Sequence, residues 1–164
     1  VVLHYLIDIK DVKEYTVVIY VERFIQLTSL LKIVIKLYVD GGTRGMVICL
    51  YDSVRKKYIL KRRPRATTNN DLEYLAIINA IEYAKKMYPR DKILILSDSK
   101  LAVNQINDIY RVNGENLIAL HKKVMRKINW HTTEVQWVRR NFNLAGIHLE
   151  KLSAYLRTSP DRLR

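Results

Sequence analysis

"IVIKLYVDGGTRGMVICLYDSVRKKYILKRR" (residues 33–63) decides the fold class. It contains three runs rich in Val, Ile, Leu and Tyr: "IVIKLYVD", "GMVICLYD" and "VRKKYILKRR". Branched and aromatic side chains suit a pleated, half-buried surface, so each run is predicted to be a strand. The links are a tight Gly41-Gly42 loop and a short basic turn. Neither can hold the crossover that a parallel pair needs, so the three strands are predicted to form an antiparallel meander.

Beyond the meander, "RPRATTNND" is a loop that ends in helix-start residues. "LEYLAIINAIEYAKKM" then repeats Leu, Ile and Ala at helical spacing until "YPRD" breaks it. "KILILSD" is nearly continuous in apolar residues, as a strand buried on both faces would be. "SKLAVNQINDIY" and "ENLIALHKKVMRKIN" read as helices, "TTEVQWV" as a last strand and "NLAGIHLEKLSAYL" as a last helix. This alternation gives a mixed α/β class. Before the meander, "EYTVVIYVERF" resembles a strand and "RFIQLTSLLK" a short amphipathic helix, without a chemical motif. The expected division is an N-terminal extension of unknown role over 1–32, one domain over 33–158 and a tail over 159–164.

The 164 residues suit one sizeable core, and 49% hydrophobic content argues against disorder. Cys49 is the only cysteine, which excludes an internal disulfide framework and a Cys-based zinc site. It lies among apolar neighbours in "MVICLYD", so it is expected to be a buried strand thiol, and the protein is expected to be cytoplasmic. No apolar run reaches the roughly 18 residues of a membrane span, and "VVLHYLIDIKDVKEY" carries acids where a secretory leader would be basic. Net charge is +13, and residues 1–33 are neutral with four basic and four acidic groups. The whole surplus therefore lies in residues 34–164, and it points to a polyanionic partner, nucleic acid above all.

Against that cationic background, a few carboxylates fall at element ends. Asp40 closes the first strand of the meander and Asp98 closes "KILILSD". If these strands are neighbours, both acids emerge at one sheet edge, where open α/β sheets place their sites. Glu73 lies in the first turn of the next helix, in line with Ile77, Ala80 and Ala84 on the packing face. Any one of them is explained by an Asp opening a turn or a Glu favoured by the helix dipole. Together they would repel, by about 4 kcal/mol for a pair at ~4 Å and an effective dielectric near 20. Protonation or bridging cations would relieve this, and oxygen ligands of this kind suit Mg²⁺ or Mn²⁺.

"YVDGG", "TTNNDLEYLAIINAI", "ILSDSKLAVNQI" and "WVRRNFN…EKLS" resemble ribonuclease HI, especially its compact archaeal type, over residues 33–156 and in the right order. The resemblance implies a ribonuclease H-like fold: a five-stranded mixed sheet of order 3-2-1-4-5 with helices on both faces. It implies two Mg²⁺ or Mn²⁺ ions held by four carboxylates, and endonucleolytic cleavage of the RNA strand of RNA/DNA hybrids that leaves 5′-phosphate and 3′-hydroxyl ends. By motif, Asp40, Glu73 and Asp98 are expected catalytic metal ligands. Thr68, Asn69 and Asn70 match the segment that contacts a DNA-strand phosphate and the 2′-OH of the RNA, a group that short hydroxyl and amide side chains can read. Gly41 and Gly42 would let the backbone approach the sugar. Ser99, Lys100 and Arg140 complete the expected substrate contacts, with Arg140 standing near the scissile phosphate where bacterial members carry a mobile His.

Two departures from the family pattern stand out. The Gly-rich first hairpin of bacterial members is reduced to "GGTRG". The last acid is displaced: counting on from "WVRRNFN" puts Ile147 at its position, whereas matching "EKLS" puts Glu150 there. The two differ by three residues, about 4.5 Å of helix rise. Glu150 is the expected fourth ligand, because Leu149, Leu152 and Ser153 keep the family spacing, with Asn143 and His148 as other candidates. The basic groups Arg55-Lys56-Lys57, Lys61-Arg62-Arg63 and Lys122-Lys123 would meet phosphates, and Trp130 and Trp137 are expected in core or strand-end packing. Alternatives are double-stranded RNA as substrate, a junction resolvase, or a hybrid-binding module that does not cut. The protein is expected to be a monomer off the membrane, with residues 1–32 as a conceivable dimer arm.

Overall fold

A computed structural model describes residues 34–42, 46–63, 65–66 and 68–158. The strand and helix expected within 1–32 lie outside these residues, as does the tail. Five strands form one sheet: β1 (Val34–Gly42), β2 (Val47–Asp52), β3 (Lys57–Arg62), β4 (Lys92–Ser97) and β5 (Thr133–Trp137). Their order is β3-β2-β1-β4-β5, as expected. β1, β2 and β3 pair antiparallel, and β4 runs parallel to both β1 and β5. The helices are α1 (Asn69–Met87), α2 (Lys100–Ile106), α3 (Glu115–Lys127) and α4 (Leu144–Thr158), with a 3-10 turn at Arg140–Phe142.

The period of two in β1 sorts its side chains onto two faces. Ile35, Leu37 and Val39 join Ile48 and Leu50 of β2 in the main core, where they meet Leu72, Ile77, Ala80 and Ile81 of α1. Fully burying each Leu or Ile contributes about 1.5–3 kcal/mol, so this layer dominates stability. α2 and α3 add Ala102, Val103, Ile106 and Val124 to the same side. On the other face Cys49 packs with Ala145 and Leu149 of α4, flanked by Tyr38 and Val47. Cys49 is thus buried as expected, and the low-dielectric surroundings and Asp40 push its thiol up to about 12. No described helix is long and apolar enough to cross a membrane.

Local chemistry moves some element ends. β3 begins at Lys57 rather than Val54, because Asp52 Oδ1 accepts the Val54 and Arg55 N–H groups and Lys56 takes a left-handed φ of 50°. α2 stops at Ile106, short of Tyr110: Asp108 sits at φ 59°, and the Asn107 side chain bonds the Val135 carbonyl instead of facing water along a helix. Trp130 and Trp137 are 47% and 45% exposed; neither is a core residue, and Trp137 lies at the end of β5.

Candidate active site at the sheet edge

Pairing β1 beside β4 brings Val39 opposite Ser97, so the residues that follow, Asp40 and Asp98, come together at one end of this pair; Asp98 lies just beyond β4, whereas β1 runs on past the expected end at Asp40 to Gly42, paired with β2. Glu73 reaches them from α1. That helix starts with a capping box: Thr68 Oγ1 accepts the Asp71 N–H at 3.1 Å and Asp71 Oδ2 accepts the Thr68 N–H at 3.0 Å. The start of α1 also presses on the backbone of β1. A Cβ at Gly41 would lie 2.6 Å from the Leu72 carbonyl carbon and Leu72 Cβ, and 2.9 Å from Glu73 N. Glycine at position 41 thus lets α1 seat Glu73 beside Asp40, a helix-packing role that the motif reading had not foreseen.

Ligand oxygens of Asp40, Glu73 and Asp98 lie within 4.8 Å of one another. Asp40 and Glu73 are 3% and 5% exposed, and Asp40 Oδ1 and Glu73 Oε2 have no hydrogen-bond partner. Desolvation, followed by the charges of its neighbours Asp40 and Asp98, pushes the Glu73 carboxyl up to about 9. Desolvation and Asp98 likewise raise Asp40 to about 6, against the lowering effect of Arg140. An all-oxygen donor set with orphaned buried oxygens is what a hard divalent cation would satisfy, so these residues fit Mg²⁺ or Mn²⁺.

Asn143, buried completely, ties the edge together. Its Nδ2 donates to the Val39 carbonyl at 2.9 Å and to Asp98 Oδ1 at 2.7 Å, which joins β1, the Asp98 segment and the entry to α4. In sequence Asn143 is only a spare candidate ligand; the structure makes it a brace. His148, the other spare, stacks on Tyr58 with centroids 4.0 Å apart and planes at 15°.

Glu150 is not brought into the group of three. It is exposed, and its Oε1 accepts the Arg140 Nε–H at 2.7 Å. Arg140 in turn donates from Nη1 to Asp98 Oδ2 at 3.1 Å, so it stands beside the carboxylates. Ile147, the rival position, is half-buried.

Of the other expected contacts, Thr68 and Asn69 are exposed and Asn70 half-buried at the start of α1, and Gly42 packs near Leu149. Ser99 caps α2 by accepting the Ala102 N–H at 3.3 Å. Lys100 stands 5.9 Å over the Trp137 ring, whose Nε1 donates to the Asp98 carbonyl at 3.1 Å. Near Asp71 a cavity of about 620 Å³ is lined by Arg62, Arg63, Arg65 and Lys123, a concentration of positive charge on the α1–α3 side.

The sequence profile of the family described as RNase H matches residues 33–148. The chain belongs to the ribonuclease H family. Solved structures agree on the fold. The N-terminal RNase H domain of a Mycobacterium tuberculosis protein shares 22% identity at a TM-score of 0.57, covering 71% of this chain and 95% of that one. RNase H1 of the halophilic archaeon Halobacterium salinarum NRC-1 shares 24% at 0.58, covering 74% and 98%. LC11-RNase H1, from a compost metagenome and solved in complex with an RNA/DNA hybrid, shares 22% at 0.54, covering 70% and 92%. As a member of this family the chain is a ribonuclease H, a hydrolase.

Proposed function

We propose that this ribonuclease H cleaves the RNA strand of RNA/DNA hybrids endonucleolytically, with two Mg²⁺ or Mn²⁺ ions, and leaves 5′-phosphate and 3′-hydroxyl ends. The observation that carries the reading is the group Asp40, Glu73 and Asp98: three acids gathered within 4.8 Å, two of them buried with unpartnered oxygens, in a chain of net charge +13. Such a group is costly without cations and matches the donor set for a pair of them. The hybrid found on LC11-RNase H1 supports the substrate.

In this reading Asp40, Glu73 and Asp98 hold the ions. When bound there, such ions would supply an activated water and would offset charge on the phosphate and the departing 3′ oxygen. The chain's own groups do the rest. Thr68, Asn69 and Asn70, grouped at the start of α1, would read the 2′-OH and a phosphate of the opposite strand. Arg140, beside Asp98, would draw a phosphate oxygen toward the carboxylates. Asn143 keeps Asp98 aimed while the edge is loaded. The cationic surface would attract the duplex, and counterion release makes that attraction steeply salt-dependent.

The test is cleavage of an end-labelled hybrid with Mg²⁺ or Mn²⁺, compared with double-stranded RNA, duplex DNA and a four-way junction. Hybrid should be cut, chelator should stop cleavage, and Asp98→Asn should abolish it. Full-speed cleavage by Asp98→Asn would refute the reading, and preference for double-stranded RNA or the junction would reassign the substrate.

A further inference from the structure

α4 carries its acid past the carboxylate group. The position on this helix that meets Asp40 is Gly146, where a Cβ would lie 3.3 Å from Asp40 Oδ2 and 3.5 Å from Asn143 Nδ2. Glu150 comes four residues later, about 6 Å along the axis. Its partner is Arg140, reached across ten residues of sequence by the 2.7 Å bond to Nε.

The same guanidinium gives Nη1 to Asp98, which makes a relay Glu150–Arg140–Asp98. Guanidinium has five N–H donors in a rigid fork, and these two bonds use two of them. The Arg140 side chain is 61% exposed, so the rest of the fork faces solvent at the rim of the carboxylate group. A lone arginine would have to give up much of its rotamer freedom to grip a phosphate; one already held at Nε and Nη1 has given it up on folding.

We infer that Glu150 is a positioning residue that fixes Arg140 beside Asp98 and so aims the remaining N–H donors at a substrate phosphate, rather than a ligand of the cations. The inference rests on the hybrid-nuclease reading above for the identity of that phosphate, but not for the part that concerns metal. Glu150 lies outside the group of Asp40, Glu73 and Asp98, whose ligand oxygens gather within 4.8 Å, and it touches the reaction only through Arg140.

The experiment uses the full chain and Mn²⁺ as probe. Mn²⁺ is titrated calorimetrically without nucleic acid into the parent protein, Glu150→Ala and Asp98→Asn. Glu150→Ala should bind Mn²⁺ no more weakly than the parent. Asp98→Asn should lose at least about tenfold, since removing even an outer partner of a ligand commonly costs that much. Cleavage of labelled hybrid is then measured for Glu150→Ala, Arg140→Ala and the double variant, with melting temperatures confirming that each is folded. Glu150→Ala should lower kcat/KM about two- to fivefold, the range of an exposed charged pair, and should add nothing to Arg140→Ala. Glu150→Gln should keep part of the activity, because its amide oxygen still accepts from Nε. A tenfold weaker Mn²⁺ affinity in Glu150→Ala, or losses that multiply in the double variant, would overturn the inference. If the parent cuts no hybrid, the functional reading fails separately. Hybrid binding in EDTA then reports the coupling: a Glu150→Ala loss that vanishes in the Arg140→Ala background supports the relay, and one that persists there refutes it.

Discussion

Replacing Asn143 with Ala should destabilise the protein well beyond an average substitution. The side chain is fully buried and its amide makes two hydrogen bonds, 2.9 Å to the Val39 carbonyl and 2.7 Å to Asp98 Oδ1. The first is a neutral bond worth about 1 kcal/mol, and the second, to a carboxylate, about 1.5–3 kcal/mol. The truncation also strips Asp98 Oδ1 of its donor and leaves the carboxylate to Arg140 on Oδ2. The sum, about 2–4 kcal/mol, corresponds to a fall in Tm of roughly 5–15 °C for a chain of this size. Thermal and urea denaturation, run in EDTA so that no cation supports the acids, measure it directly. A loss below about 1 kcal/mol would refute the view that Asn143 braces β1 and Asp98 against α4. Replacement by Asp sharpens the test. A carboxylate at 2.7 Å from Asp98 Oδ1 would repel it by about 6 kcal/mol at an effective dielectric near 20, until one acid takes a proton. Asn143→Asp should therefore be much weaker in EDTA and regain stability with Mn²⁺ more than the parent does.

Gly41→Ala should cost about 3 kcal/mol or more and lower Mn²⁺ affinity, because the new Cβ meets Leu72 backbone at 2.6 Å and pushes α1, with Glu73, away from Asp40; denaturation and calorimetry read both effects. Asp52 governs the acid limb of stability. Burial works to raise its carboxyl, but the Tyr88 hydroxyl, the Arg55 N–H, the Tyr83 hydroxyl and the Val54 N–H together hold it below the ordinary carboxylate range. A depressed folded-state value stabilises above the unfolded value and is lost as pH falls through the folded one. Asp52→Asn should thus cost about 1–3 kcal/mol at pH 7 and progressively less as pH falls below the ordinary carboxylate range, as urea denaturation across that range would show. Hybrid affinity should fall linearly with log salt, and Arg62→Ala with Arg65→Ala should flatten the slope by up to about two charges, because both line the cationic cavity. An unchanged slope in fluorescence titrations would remove that cavity from the binding face.

The sheet was legible because its chemistry is local. "KILILS" is apolar at nearly every position, which only a strand covered on both sides tolerates, and β4 does lie between β1 and β5. The meander followed from links too short for any other connection. Asp40 in β1 and Asp98 just after β4 were legible once those strands were taken as neighbours, and Glu73 from its line with three buried residues of α1. What spacing could not resolve was a single turn of α4. An acid at position 150 and a gap at 147 look alike in sequence until the helix is placed, and then Gly146 meets Asp40 while Glu150 meets Arg140. The brace made by Asn143 spans 104 residues to Val39, and no local pattern announces a contact of that range. The short α2 depends on a left-handed residue, Asp108, that periodicity does not register.

Among the described residues β3 has one neighbour in the sheet, β2, and one row of its peptide groups has no partner strand there. A bare row of that kind is a template onto which another molecule's strand can add. Here the strand is "KYILKR", and Lys57, Lys61 and Arg62 are exposed along it. Two such rims meeting would confront cation with cation. The basic residues that would greet a nucleic acid would therefore also oppose sister molecules joining edge to edge. An engineer who neutralised them to curb unspecific binding would be removing the guard against aggregation in the same stroke.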